Sequence, residues 1–188
     1  MHLPFCKRRC YYCDFPIQVV GGKAPDAALD GMREYVAHLG REVRCLDVEA
    51  TSPLETLYFG GGTPSLIPPE LLEELLQALE RQFGLAGGAE VTLEADPGTF
   101  DAARLRQYLD LGVTRFSMGV QAFQDEVLER CGRAHTAYDA LKAIEAVHAV
   151  GPPSWTLDLM GGLPGQTPEH WRASLEAALD AGAPHLSV

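Results

Sequence analysis

The sequence lacks any long hydrophobic stretch, since none of its apolar runs approaches the ~20 residues that span a bilayer. It also has no low-complexity tract, no legible internal repeat and no apolar leader of signal-peptide length. With 46% hydrophobic and 22% charged residues, the 188-residue chain has a globular composition. We therefore expect one globular domain without a transmembrane segment.

Positive charge is scarce. The chain has 15 Lys and Arg against 26 Asp and Glu, which gives a formal net charge of −11. A chain with this balance has no basic footprint for the phosphate backbone and no general attraction to anionic lipid. We expect no nucleic-acid partner.

Cysteine is also scarce, and its five copies do not make an even set. Cys6, Cys10 and Cys13 crowd into eight residues, whereas Cys45 and Cys131 stand alone. A disulfide framework requires paired cysteines in a small secreted chain. We therefore expect a reducing, cytoplasmic compartment, with the clustered thiols as metal ligands and the other two cysteines unliganded.

Short β-rich runs alternate with segments of helical periodicity along the whole chain. Such alternation predicts an α/β fold with parallel strands and right-handed crossovers, in either a doubly wound sheet or a barrel. In both, the segments that follow the strands gather at one face, where such folds place their sites. The expected strands are 54–59, 90–95, 114–120, 154–160 and 185–188, with a further one at 2–4, and the expected helices are 26–44, 70–83, 101–111, 137–150 and 168–181.

The three clustered cysteines have the spacing C-x3-C-x2-C. Three thiolates this close can each bind one iron of a cubane and leave the fourth iron without a protein ligand. A structural zinc site usually takes four ligands in two pairs, although His2 could complete a Cys3His set. The basic residues between the first two cysteines argue against three ordinary buried thiols. Nearby aromatic residues predict an apolar jacket around the cluster, or ordinary core packing: Phe5, Tyr11, Tyr12 and Phe15.

With an aromatic residue before its last cysteine, this motif resembles the cluster motif of the radical-SAM superfamily. Further phrases resemble the group that contains oxygen-independent coproporphyrinogen III oxidase and the HemW-type heme chaperones. They run in the family's order over nearly the whole chain: His2-Leu3-Pro4-Phe5-Cys6, Phe59-Gly60-Gly61-Gly62-Thr63-Pro64-Ser65, Glu94-Ala95-Asp96-Pro97, Arg115-Phe116-Ser117-Met118-Gly119-Val120-Gln121, Arg133-Ala134-His135, Leu157-Asp158-Leu159-Met160-Gly161-Gly162-Leu163-Pro164-Gly165-Gln166-Thr167 and Pro184-His185-Leu186-Ser187.

The resemblance implies a [4Fe–4S] cluster on Cys6, Cys10 and Cys13. It also implies S-adenosylmethionine, which the reduced cluster cleaves to a 5′-deoxyadenosyl radical. It implies cofactor contacts from the glycine loop to the methionyl amino group, from an arginine to the methionyl carboxylate and from an aspartate near the ribose. The residues at the matching positions, with other polar residues that follow strands, are Gly60, Gly61, Gly62, Thr63, Glu94, Gln121, Arg133 and Asp158.

The implied fold is a partial (β/α)6 TIM-type barrel. The family usually has a tyrosine two residues before the position of His2, and it continues for about as many residues again after Val188. We therefore expect residues 1–188 to be the radical-SAM core domain, truncated at both ends, without the family's C-terminal domain.

Two functions of different class fit the resemblance. One is a heme chaperone, which binds and transfers heme. The other is an oxidase that decarboxylates coproporphyrinogen III to protoporphyrinogen IX. The oxidases carry a further cysteine two residues after the third cluster cysteine, where this chain has Phe15, so we favour the chaperone. The expected partners are heme or a porphyrinogen, an electron donor such as flavodoxin or ferredoxin, and an apo-hemoprotein acceptor.

Overall fold

Six parallel strands form the central sheet in the computed structural model, which describes residues 1–22, 24–47 and 52–188. The order of the six is β1-β4-β5-β6-β7-β8, and every neighbouring pair is parallel. Two further strands, β2 and β3, pair with each other. The strands are β1 (His2–Leu3), β2 (Phe5–Cys6), β3 (Gln18–Val19), β4 (Leu54–Gly61), β5 (Leu85–Ala95), β6 (Arg115–Gln121), β7 (Ser154–Leu159) and β8 (His185–Ser187).

From β3 onward helices connect successive strands, and the ends of these helices follow local sequence signals. α1 and α2 begin at prolines. Proline is tolerated there because the N–H groups of the first helical turn have no intrahelical acceptor. α5 and α6 begin with capping boxes, in which Thr136 and Thr167 accept from the backbone three residues on. The helices are α1 (Pro25–Cys45), α2 (Pro69–Phe83), α3 (Ala102–Asp110), α4 (Asp125–Arg130), α5 (Ala137–Val150) and α6 (Pro168–Asp180), with a 3-10 turn at Pro64–Leu66.

The strand order distinguishes the two architectures that the sequence allowed. A doubly wound sheet reverses its strand order at a switch point, whereas a barrel adds each new strand beside the previous one. From β4 to β8 each strand lies beside its predecessor in sequence, as in a barrel. The sheet is a partial TIM-type barrel, and within the described residues β1 and β8 are its edges.

The two faces of the sheet differ in chemistry. On the face covered by helices, Leu57, Phe59, Leu93, Phe116 and Leu157 are at most 8% exposed and form the core. The alternate positions on the inner face are polar, since side chains of a strand point to opposite faces in turn. Near the carboxyl ends of the strands this inner set is Tyr58, Glu94, Ser117 and Asp158.

The expected elements are confirmed, with ends that shift by one or two residues except in β5. That strand begins at Leu85 rather than at residue 90, because Leu85 already pairs with Leu54, and a register shift then accommodates the residues before Glu90, which pairs with Thr56. α4 was not expected. Its six residues make fewer than two turns, too few for a periodic pattern. In the described part of the chain, no helix is both long and apolar enough to cross a membrane.

Candidate functional site

A cavity opens at the carboxyl ends of the strands and gathers every residue that the sequence predicted for the site except Gly60. Loops and strand ends from β2 to β7 contribute to its lining. Predicted residues in the lining are Cys6, Cys10, Cys13, Gly61, Gly62, Thr63, Glu94, Gln121, Arg133 and Asp158. Residues separated by more than 150 positions in the chain thus meet because parallel strands end at the same edge of the sheet.

The cysteine loop is held at both of its ends. Phe5–Cys6 pairs with Gln18–Val19, and the backbone N–H of Val20 donates to the Cys6 carbonyl at 2.8 Å. Arg9 closes the loop from within by donating to the carbonyl oxygens of Cys13 and Phe15 at 3.1 and 3.2 Å. The loop therefore has a defined shape from its protein contacts alone.

The three loop cysteines are free thiols, Cys6 buried and the other two partly exposed. Among the residues described, no three His, Cys, Asp or Glu side chains converge closely enough to hold one metal ion. Nε2 of His2 lies 3.0 Å from the carbonyl oxygen of Pro16, so this ring nitrogen already has a partner. Thiols that surround a space rather than one point suit a cluster with one iron per thiolate.

The buried thiol of Cys6 has a polar neighbour in Thr63. Burial raises its pKa, while a hydrogen bond from Thr63, with Oγ1 3.6 Å from Sγ, opposes the rise. Thr63 itself is 5% exposed and its backbone N–H donates to the Phe5 carbonyl at 2.7 Å. A hydroxyl donor at this position stabilises a thiolate, the form that binds metal.

The glycine loop that ends β4 is packed tightly against the cysteine strand. A Cβ on Gly62 would lie 2.7 Å from the carbonyl carbon of Pro4, and one on Gly61 would lie 2.3 Å from Nδ1 of His2. The N–H of Gly62 donates to the Leu3 carbonyl at 2.8 Å. The loop thus needs glycine for close contact with its own chain, and it presents bare backbone to the cavity.

Both carboxylate oxygens of Glu94 accept hydrogen bonds. The Tyr58 hydroxyl donates to Oε1 at 2.7 Å, and the N–H of Gly61 donates to Oε2 at 3.0 Å. Burial and the neighbouring Glu94 charge raise the pKa of Tyr58, which keeps its hydroxyl a donor. These two contacts fix the carboxylate at the end of β5, beside the glycine loop.

Asp158 lies on the inner face of β7 and accepts from the Ser117 hydroxyl, at 2.9 and 3.2 Å to its two oxygens. Burial raises the pKa of Asp158, and the Ser117 hydrogen bond opposes that rise. A half-buried carboxylate with one hydroxyl partner retains acceptor capacity for hydroxyl groups of a ligand.

The Arg133 side chain makes several hydrogen bonds within the site. Its Nη2 donates to Asp96 and to the Gly119 carbonyl, both at 2.6 Å, and its Nη1 contacts Cys10 Sγ at 3.6 Å and the Tyr12 hydroxyl at 3.2 Å. Burial lowers the pKa of Arg133, but the charge of Asp96 outweighs it and the net pKa is raised. Nε is buried and has no partner among the described residues, which leaves one donor for a ligand.

Gln121 has an unusual backbone for a residue with a side chain, with φ of 67° at the end of β6. The ladder between β6 and β7 shifts register there, and the Gln121 carbonyl accepts from the N–H of Met160 at 3.0 Å. Positive φ in a non-glycine residue is costly and is concentrated at functional positions. The turn directs the chain from the sheet to the cavity rim.

Three residues of the site were missed from the sequence, namely Tyr58, Asp96 and Ser117. Tyr58 and Ser117 lie on the inner face within β4 and β6, where the alternation of polar and apolar residues was the available signal, and Asp96 directly follows β5, where its place after a strand was the signal. The expected aromatic jacket is only partly present. Phe5 is fully buried, but Tyr11 is 74% exposed, and Phe15 borders the cavity and is 58% exposed.

These features define the class: a partial α/β barrel with a three-cysteine loop beside a polar cavity at its strand ends. The family model described as Radical SAM superfamily matches residues 1–178. The chain belongs to the Radical SAM superfamily, and membership implies a [4Fe–4S] cluster and S-adenosylmethionine.

Several curated relatives carry the name heme chaperone HemW. The chain is 47% identical over 188 residues to the heme chaperone HemW of Synechocystis sp., covering all of this chain and 45% of that protein. It is 38% identical over 191 residues to the heme chaperone HemW of Escherichia coli, covering 48% of it. The chain therefore spans about half the length of the curated relatives it matches.

Solved structures agree on the fold. Coproporphyrinogen III oxidase (HemN) from Escherichia coli, a radical SAM enzyme, superimposes with a TM-score of 0.86 at 26% identity, over 99% of this chain and 42% of that one. The radical S-adenosylmethionine methyltransferase TsrM from Kitasatospora setae, at 18% identity and a TM-score of 0.62, shows the fold alone.

Proposed function

We propose that Cys6, Cys10 and Cys13 hold the [4Fe–4S] cluster and that the adjoining cavity binds S-adenosylmethionine. The observation that carries this proposal is the convergence of the three-cysteine loop with the polar strand ends on one cavity. When reduced, such a cluster supplies the single electron that cleaves the bound sulfonium.

The residues around the cavity have complementary roles. The bare backbone of the glycine loop and the fixed carboxylate of Glu94 suit an ammonium group, and Asp158 suits ribose hydroxyls. The free donor of Arg133 suits a carboxylate. Gly60, Thr63 and Gln121 shape the loop and the rim around them. The charges of the site thus match a zwitterionic amino-acid moiety attached to a nucleoside.

Iron and sulfide analysis after anaerobic reconstitution tests the ligands. We expect Cys6→Ala, Cys10→Ala and Cys13→Ala each to lose the cluster, because a cubane with only two protein ligands is readily lost. Cys45→Ala and Cys131→Ala are the matched controls and should retain full iron content. Full iron in any of the first three variants would refute the assignment.

For the full-length protein, we propose heme binding and transfer as the activity. The relatives named heme chaperone HemW support this choice, as does Phe15 at the position of a further cysteine in the oxidases. An electron donor such as flavodoxin or ferredoxin would reduce the cluster, and an apo-hemoprotein would accept the heme. The alternative is oxidative decarboxylation of coproporphyrinogen III, which the similarity to the HemN structure favours.

One paired experiment separates the two activities. The full-length protein is reconstituted anaerobically and titrated with heme. In parallel it is incubated with S-adenosylmethionine, a reductant and coproporphyrinogen III. Heme binding without decarboxylation supports the chaperone, whereas protoporphyrinogen IX together with 5′-deoxyadenosine would establish the oxidase and overturn the favoured proposal.

A further inference from the structure

The guanidinium of Arg133 lies between the cysteine loop and the ends of β5 and β6. Its side chain is 7% exposed, and its two terminal nitrogens face in different directions. Nη2 is occupied by the Asp96 carboxylate and the Gly119 carbonyl, whereas Nη1 reaches Cys10 Sγ at 3.6 Å and the Tyr12 hydroxyl at 3.2 Å. Because the guanidinium is planar and rigid, the contacts that hold Nη2 also determine the direction of Nη1.

The contact with Cys10 differs from the role that the family resemblance implies for this arginine. A carboxylate of a bound cofactor would take a donor that the chain leaves free, such as Nε. The sulfur of Cys10, by contrast, is approached by Nη1 through contacts within the protein alone. The arginine is therefore placed to act on the cluster before any cofactor binds.

The cysteine loop is tied to the segment around Arg133 by a second, independent contact. The backbone N–H of Tyr11 donates to the Cys131 carbonyl at 2.9 Å, and a Cβ on Gly132 would lie 3.1 Å from the Tyr11 ring. Two tethers, one backbone and one side chain, hold Cys10 against the loop that follows α4. The distance between Arg133 and the sulfur is thus set by the fold.

A hydrogen bond to a cysteinyl sulfur, and a positive charge beside it, stabilise the reduced form of an iron–sulfur cluster because that form carries more negative charge. The effect is strong where water is excluded, since low dielectric strengthens both the charge and the hydrogen bond. The positive charge is permanent because an arginine guanidinium is not deprotonated in proteins.

We propose that Arg133 is a redox-tuning residue, whose Nη1–H hydrogen bond to Cys10 Sγ raises the reduction potential of the cluster independently of S-adenosylmethionine. The inference rests on the proposed ligation of the cluster by Cys6, Cys10 and Cys13. Asp96 and the Gly119 carbonyl hold the guanidinium in the position from which it acts.

The test is a potentiometric titration of the reconstituted full-length protein without S-adenosylmethionine, with dithionite as reductant and the reduced cluster followed by electron paramagnetic resonance. Arg133→Gln should disfavour cluster reduction about tenfold, which for a one-electron couple is ~59 mV towards negative potential. Arg133→Lys retains the charge but loses the fork, so its shift should be smaller. The matched control is Arg8→Gln, an exposed cation of the same loop, whose removal water and salt should largely mask.

The outcomes are distinguishable. Arg133 variants with full iron and an unchanged potential would overturn the inference, and so would weaker binding of S-adenosylmethionine as their only defect. Loss of the cluster from both Arg133 variants but not from the Arg8 variant would make Arg133 a structural anchor and would also overturn the redox role. A wild-type protein that binds no cluster would instead refute the ligand assignment itself.

Discussion

Arg133 and Asp96 form an ion pair of 2.6 Å that joins the loop after α4 to the end of β5, across 37 residues of sequence. The arginine side chain is 7% exposed and the aspartate 27% exposed, so the pair lies at the boundary between the protein and the cavity. A buried guanidinium depends on its anion, because an uncompensated buried charge is strongly destabilising.

Asp96→Asn is expected to lower the free energy of unfolding by about 1.5–3 kcal/mol, the range for hydrogen bonds to charged groups. The amide keeps the shape of the side chain but removes the charge opposite Arg133. Urea unfolding measures the change. Asp110→Asn, an exposed carboxylate, is the control and should change stability by less than about 0.5 kcal/mol. Equal effects of the two substitutions would show that the ion pair has no special importance.

Gly62→Ala is expected to disturb the cysteine loop, because its Cβ would lie 2.7 Å from backbone of Pro4 and 2.8 Å from the Phe5 carbonyl oxygen. Overpacking of this kind costs about 1–3 kcal/mol. The free energy of unfolding, measured with urea, and the iron content after reconstitution should both fall. Gly87→Ala is matched in chemistry and has open space around its Cβ, so it should change neither. An unaffected Gly62→Ala variant would contradict the tight packing of the two segments.

Tyr58→Phe removes the hydroxyl that donates to Glu94 at 2.7 Å without changing the ring. Glu94 then keeps only the Gly61 N–H and is less well oriented. We expect the affinity for S-adenosylmethionine, measured by calorimetry on the reconstituted protein, to fall about fivefold, as loss of ~1 kcal/mol implies. Tyr138→Phe, at a 65% exposed tyrosine, is the control. A normal affinity in Tyr58→Phe would mean that Glu94 needs no support from β4.

His135 should make the protein sensitive to mild acid. The ring is 4% exposed, its Nε2–H donates to the Val120 carbonyl, and burial together with the Arg133 charge lowers its pKa to about 4. Below pH 6.5 the His135 imidazole binds a proton in the unfolded chain but stays neutral in the folded chain. The free energy of unfolding therefore decreases as the pH falls from 6.5 towards 4. The loss is roughly 3 kcal/mol when complete.

Urea unfolding of the iron-free protein at several pH values measures this loss. His135→Gln should reduce the slope of the free energy of unfolding against pH between 6.5 and 4. Substitution of the exposed His38 by Gln should leave this slope unchanged. Identical slopes in the wild type and the His135 variant would show that folding does not lower the pKa of His135.

The secondary structure was predictable because the hydrophobic periodicity and the residues that begin and end the elements indicate the same boundaries along this chain. Apolar runs, helix-opening prolines and capping threonines each act locally, so α5 and the later strands were located within a residue or two. The choice between barrel and open sheet was not available from local signals, because it depends on which strands pair. α4 and the first residues of β5 were missed for lack of a periodic pattern.

Within the site, the residues that follow strands could be placed together because parallel strands share one carboxyl edge. Their partners could not be predicted. The contacts of Arg133 with Asp96 and Cys10 depend on the path of the loop after α4, which no local pattern encodes. In the sequence Tyr58 looks like an ordinary strand residue, because its partner Glu94 comes from the neighbouring strand β5.

Binding of S-adenosylmethionine to the open iron is the most direct measurement of the central claim. The reconstituted, reduced protein is examined by electron paramagnetic resonance before and after the cofactor is added. If three cysteines leave one iron free for the cofactor, the cluster signal must change on addition, and Asp158→Asn should weaken the response while Asp110→Asn should not. An intact cluster whose signal is the same with and without S-adenosylmethionine would contradict the account.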